Sequence, residues 1–245
     1  MYPIITEVFN SRTVISKDGK TYPLRGNIDF DEGLFIHRLI SSDGTINRTL
    51  EVGCGHGISS LFICDALKER TVKEHYIIDP NQNTHYNGIG INNLNKVGVS
   101  FYTFISEKSE YALPELAKTY QATFDLIFID GFHSFDQVLL DFYYANLLIR
   151  VGGYIVFDDC SFYSISKALT YILGYPAYRF HSQVRETSLR KRFLGLFLKP
   201  IPEGIKKYIF PLKLLNFYNR IRFSSMVAIT KKCDDLRGNQ WFTDF

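Results

Sequence analysis

The sequence predicts an α/β protein: a Rossmann-like three-layer sandwich around a mostly parallel seven-stranded sheet whose last strand is antiparallel. Three observations predict it. Short apolar runs alternate with segments of helical period from about residue 48 to residue 180, the pattern of parallel strands joined by crossover helices. A glycine-rich turn, Gly53-Cys54-Gly55-His56-Gly57, follows the first of those runs. The run Phe124–Ile129 is apolar enough to be a strand covered on both faces.

Taken in order, residues 1–28 read as an N-terminal extension with turn signals at Asp18-Gly19 and Tyr22-Pro23. From 29 to 245 the chain reads as one domain, a size able to bury a substantial core. Phe30, Leu34, Phe35 and Leu39 recur at near-helical spacing and predict a helix over 29–40. Strands are expected at 48–52, 75–78, 99–105, 124–129 and 154–157, with helices at 59–68, 109–118 and 164–173 between or after them. The stretch 81–95, rich in Asn and Gly, is expected to be only partly helical. Ser134 with Gln137 predicts a capping box for a helix that buries Phe135, Val138, Leu139, Phe142 and Ile149 and ends at Gly152-Gly153. Strands near 177–180 and 226–230 complete the sheet.

Composition narrows the class. Hydrophobic residues make up 46% and charged residues 22% of the 245, ordinary values for a globular protein. The 21 Phe and 16 Tyr are more than a core of this size requires. The four cysteines stand far apart without metal-finger spacing, no run approaches a membrane span, and the first residues lack a signal-peptide core. A cytoplasmic protein with reduced thiols is expected. The net charge of +3 is unevenly spread: residues 182–223 hold ten Lys/Arg against two Glu, a local +8 that leaves −5 elsewhere.

The glycine turn carries the most chemistry. Its spacing, with Gly53, Gly55 and Gly57, is not that of dinucleotide binders, which would need glycine at Ile58. Glu51, just ahead of it, suits a ligand with a cationic amino group better than a pyrophosphate. Asp79, Asp130, Asp158 and Asp159 also stand at or just past strand ends, the edge at which open α/β sheets bind ligands. Capping and turn formation explain any one of these carboxylates, but not five together.

The segments 124–135 (FDLIFIDGFHSF) and 148–159 (LIRVGGYIVFDD), with the glycine turn, resemble the small O-methyltransferases of the class I S-adenosylmethionine (SAM) family, the macrolide-sugar and catechol types among them. The resemblance runs from about residue 28 to 180 and resumes at 226, some two thirds of the chain. It implies that Glu51, Gly53 and Gly55, within the motif closed by Gly57, line the methionine part of SAM. It further implies that Asp79 holds the ribose hydroxyls, Ser109 sits by the adenine, and Asp130 borders the cofactor. In the metal-dependent branch, Asp130, Asp158 and Asp159 would bind a divalent cation, for which three hard oxygen ligands suit Mg²⁺. In the metal-free alternative, Asp130 meets SAM and Asp159 caps a helix.

His133, three residues past Asp130, is the candidate general base, since imidazole can accept a hydroxyl proton near neutral pH. The macrolide-sugar type also has histidine there, whereas the catechol type has lysine. Phe135 departs from the tyrosine of many relatives. His56 and His85 read as packing or surface residues, and Cys54 and Cys160 as packing.

The expected activity is methylation of a hydroxyl on a small molecule or glycan. The alternatives are a metal-free methyltransferase acting on nitrogen or a macromolecule, and a non-catalytic module that binds membranes or partners. Residues 182–223, basic and aromatic, read as an insertion suited to an anionic substrate, a peripheral membrane contact, a homo-oligomer contact or a lid. Charge alone would also suit nucleic acid, but no recognition motif accompanies it.

Overall fold

The computed structural model describes residues 1–185 and 221–237. Its centre is a seven-stranded sheet in the order β5-β4-β3-β6-β7-β9-β8, made by β3 (Arg48–Val52), β4 (Glu74–Ile78), β5 (Tyr102–Ile105), β6 (Phe124–Ile129), β7 (Ile149–Phe157), β8 (Tyr178–Arg185) and β9 (Ser224–Lys231). The first five pair in parallel, and β9 runs antiparallel to both β7 and β8. This is the predicted sheet, last strand included.

Side-chain alternation splits the core into two layers. On one face, Leu50, Val52, Ile127, Ile129, Ile155 and Phe157 pack under α5 (Ser109–Thr119), α6 (Phe135–Leu148) and α7 (Tyr163–Ile172). On the other, Leu126, Phe128 and Val156 pack under α2 (Phe30–Ser42), α3 (Ile58–Leu67) and α4 (Ile89–Lys96). β6 is buried at every position, as its sequence requires.

Several boundaries differ from expectation. The first 28 residues form α1 (Pro3–Ser11) and a small hairpin of β1 (Thr13–Ile15) and β2 (Thr21–Pro23). They are built into the second layer, with Ile5, Val8, Val14 and Ile28 all buried. Helix α6 stops at Leu148, not at Gly152-Gly153. The Ile149 N–H closes the last turn on Ala145, and the β-branched Ile149 already begins strand β7. The capping box at Ser134 is half made: Ser134 Oγ accepts the Gln137 N–H at 3.3 Å, while the Gln137 side chain goes elsewhere. The complete box is at Asp29, whose N–H donates to Glu32 at 2.6 Å. The inserted basic tract lies outside the described residues except for Ser182–Arg185, within β8, and residues 221–223.

Candidate active site

A cavity of about 870 Å³ opens at the carboxyl edge of the sheet, bounded by Gly53 and Gly55, Asp79, Ser109, and Asp130 with His133. Strands end here in parallel, so their following turns converge on one edge. Asp130 N–H bonds to Val52 O at 2.8 Å and Asp158 N–H to Ile129 O at 3.1 Å, which continues the ladder into the site.

The glycine turn depends on two close approaches. Gly53 has φ +89°, and a Cβ there would lie 2.0 Å from the Asp130 carbonyl oxygen. The obstacle to a side chain is thus the neighbouring strand end, not the space of a ligand. Gly57, at φ +79°, backs onto Gly90, whose carbonyl oxygen would lie 2.6 Å from an added Cβ. It does not border the cavity; it seats α4 against the start of α3.

Asp79 is 2% exposed and braces this turn. Its Oδ2 accepts the N–H groups of Cys54 at 3.1 Å and Gly55 at 2.8 Å, and the Gln82 amide at 3.0 Å. Its Oδ1 accepts the Asn81 N–H at 2.7 Å. Glu51 is placed differently from expectation. Being one residue out of phase with Leu50 and Val52, it faces the α3 layer, fully buried, and does not line the cavity. Ser60 Oγ hydrogen-bonds its Oε2, and His75 Nε2 lies 3.3 Å from the same oxygen. Thr49 Oγ1 in turn contacts His75 Nδ1 at 2.9 Å. Glu51 belongs to a polar network beneath the turn.

At the other end of the cavity, His133 lies between two carboxylates. Its Nε2 is 3.4 Å from Asp130 Oδ1 and its Nδ1 3.4 Å from Asp159 Oδ2. Phe162 stacks edge-on against its ring at 5.5 Å, and Ser164 Oγ donates to its backbone carbonyl at 2.6 Å. Ligand atoms of Asp130, His133 and Asp159 fall within 4.8 Å of one another. Among the described residues this is the trio that converges; His133 takes the place expected of Asp158. Asp158 stands beside it, 7% exposed, with Oδ1 buried and unpartnered.

Glu32, unforeseen in the sequence, enters from α2 and borders the same cavity. Burial raises the pKa values of Asp130, Asp158 and Glu32 above the usual carboxylate range, and the neighbouring carboxylates raise them further. None of these three has a Lys or Arg partner among the described residues. Several carboxylates held close, with one buried oxygen left over, suit a divalent cation. The residues therefore fit the metal that the family resemblance implies.

Ser109, at the start of α5, lines the far wall next to Gln137, which the sequence singled out only as a capping residue. His56 is buried edge-on against Tyr86 at 5.2 Å, His85 is exposed, and Cys54 and Cys160 are buried in packing.

Residues 50–160 match the family model described as a methyltransferase domain. The fold is that of the class I SAM-dependent methyltransferases. Solved structures agree at the level of fold. The chain resembles the O-methyltransferase TomG of Streptomyces achromogenes, solved with SAM, at TM-score 0.61 and 15% identity, over 84% of this chain and 82% of that one. It resembles a Bacillus cereus O-methyltransferase, solved with S-adenosylhomocysteine, at 0.61 and 14%, over 84% of each chain. A SAM-dependent O-methyltransferase of Thermotoga maritima aligns at 0.56 and 12%, over 95% of this chain and 72% of that one. No protein with a curated description matches the sequence. No helix among the described residues is long and apolar enough to cross a membrane.

Proposed function

We propose that this methyltransferase binds SAM and methylates a hydroxyl of a small molecule or sugar with the help of a divalent cation. One observation carries the reading: a single cavity joins the glycine turn at one end to the Asp130–His133–Asp159 trio at the other. The turn leaves room for the methionine part of SAM beside Gly53 and Gly55, and Ser109 borders the purine end. Methyl transfer from sulfonium sulfur to oxygen is an in-line displacement, so alignment of the two atoms supplies much of the rate. Well-oriented pairs gain on the order of 7–11 kcal/mol from proximity.

Asp130, Asp158 and Asp159 would hold the cation, which when bound lowers the pKa of an acceptor hydroxyl. His133, held between Asp130 and Asp159, can take the hydroxyl proton through its imidazole. The same pairing supports a second, metal-free reading in which His133 works alone as base. Isothermal titration with SAM, then transfer assays with and without EDTA, test both. Binding of NAD⁺ but not SAM would overturn the proposal, whereas full activity in excess EDTA would select the metal-free form.

The acceptor is proposed to be small, because Glu32 of α2 and Phe132 and His133 of the β6–α6 connection border the same cavity as the glycine turn and share its volume. For the basic tract we propose contact with an anionic partner, either a charged acceptor or a membrane surface. Self-association through it is the competing role, and a cytoplasmic location accords with the unpaired cysteines.

A further inference from the structure

Asp141, on α6, has no part in the chemistry above, yet it is a carboxyl group only 1% exposed. Its Oδ2 is buried without a partner, behind Gly131. Burial lifts its pKa to about 6, against the opposing pull of Ser109 and Gln137. Its hydrogen bonding runs toward the cavity wall: Gln137 Nε2 donates to Asp141 Oδ1 at 3.2 Å and to Ser109 Oγ at 2.9 Å. A neutral side chain would fill this place at lower cost in burial, so retention of the carboxyl calls for a role.

Gln137 itself departs from its local rule. At the third position of α6, after Ser134, its amide would ordinarily fold back onto the Ser134 N–H. It turns instead to Ser109 and Asp141, on the cavity side of the helix. An ionised carboxylate only accepts hydrogen bonds, so it fixes which end of the amide faces it. The nitrogen is held inward, and Gln137 Oε1 accepts no hydrogen bond among the described residues.

We propose that Asp141 is a positioning residue for purine selection. By holding the Gln137 nitrogen, it presents the Gln137 carbonyl to the cavity, so that the site prefers a 6-aminopurine nucleoside to its 6-oxo counterpart. An exocyclic amine donates to that carbonyl. A 6-oxo group would set acceptor against acceptor, and reversing the amide to suit it would set Oε1 against Asp141. The inference rests on the SAM reading and names how its purine end discriminates.

The test compares binding of S-adenosylhomocysteine and S-inosylhomocysteine to the full chain by titration calorimetry. Wild-type protein is expected to favour the adenosyl compound by about 100-fold or more, because a site built around a donor rejects a ligand lacking it. Asp141→Leu and Gln137→Met should bring the ratio to within about tenfold. Asp141→Asn, which keeps an oxygen for the Gln137 amide, should restore an intermediate ratio. Equal binding of the two compounds by wild type, or a full wild-type ratio in either Asp141→Leu or Gln137→Met, overturns the inference. If Asp141→Leu does not fold, Asp141→Asn and the half-buried Gln137→Met decide, and a full wild-type ratio in either overturns the inference. Binding of neither compound would bring down the SAM reading, whereas equal binding of both would leave that reading standing and remove only this one.

Discussion

Asp79 and Asp130 follow the two strands that flank β3, and they carry the same sequence signal, an aspartate at a strand end. Their surroundings are opposite. Asp79 is saturated by four donors, three backbone N–H groups and the Gln82 amide, and so holds the glycine turn in shape. Asp130 has His133 at 3.4 Å, with the Asp159 carboxylate close by. One carboxylate builds the fold and the other is kept available at a cost to it. Satisfied buried groups stabilise, and unsatisfied ones mark places where stability is given up for function.

The largest effect should come from breaking the contact between the two sides. Gly53→Val places a Cβ against the Asp130 carbonyl, 2.0 Å away, at positive φ. A loss of roughly 3 kcal/mol or more is expected, read as a collapse of the urea midpoint together with SAM binding. Retention of wild-type stability would show that the turn is looser than its geometry indicates.

Next in size, Asp79→Ala removes the acceptor of four donors. It should cost about 2–4 kcal/mol of stability, and calorimetry should find SAM affinity greatly weakened. Asp130→Asn is expected to do the reverse to the fold. It relieves a buried carboxylate that lies among like charges, so stability at pH 8 should rise by about 1–2 kcal/mol while methyl transfer falls about 100-fold. If Asp130→Asn destabilises as Asp79→Ala does, the contrast between the two aspartates fails.

The pH dependence follows from the same sign. Asp130, Asp158, Glu32 and Asp141 have raised pKa values in the folded state. The folded form then binds more protons than the unfolded one above about pH 4, and stability falls as pH rises until each folded value is passed. For Asp141 alone the window runs from its ordinary 3.8 to about 6. The Asp141 contribution is of the order of 3 kcal/mol at most. Asp141→Asn should therefore flatten the decline between pH 4 and pH 6 in thermal melts. An unchanged slope would mean that the carboxyl is better solvated than its burial suggests. Added Mg²⁺ should raise the melting temperature at pH 8 in wild type and less in Asp158→Ala.

The smallest effect on the fold is expected from neutralising Arg190, Lys191 and Arg192 together. Stability and SAM affinity should stay within about 0.5 kcal/mol of wild type, while binding to anionic vesicles or phosphorylated acceptors weakens and loses its salt dependence. Unchanged binding to both, with an altered oligomeric state in a 190–218 deletion, would assign the tract to self-association.

Much of this arrangement is written locally in the chain. The period of apolar residues sets strands and helices, the glycine spacing sets the turn, and aspartates at strand ends reach the ligand edge because parallel strands all end there. The Asp29–Glu32 capping box was equally legible, as an acidic residue three places after a capping one ahead of an apolar run. Packing decided the rest. Glu51 faces α3 because side chains alternate along β3, and the helix layer that covers each face is settled only by the assembled sheet. Glu32 and Gln137 enter the cavity from helices whose own sequences ask only for caps and buried faces. His133 meets Asp159 across 26 positions of chain because β7 pairs with β6. Local sequence chooses each element and its ends; which polar groups meet inside depends on distant elements sharing one volume, and no neighbour in the chain carries that information.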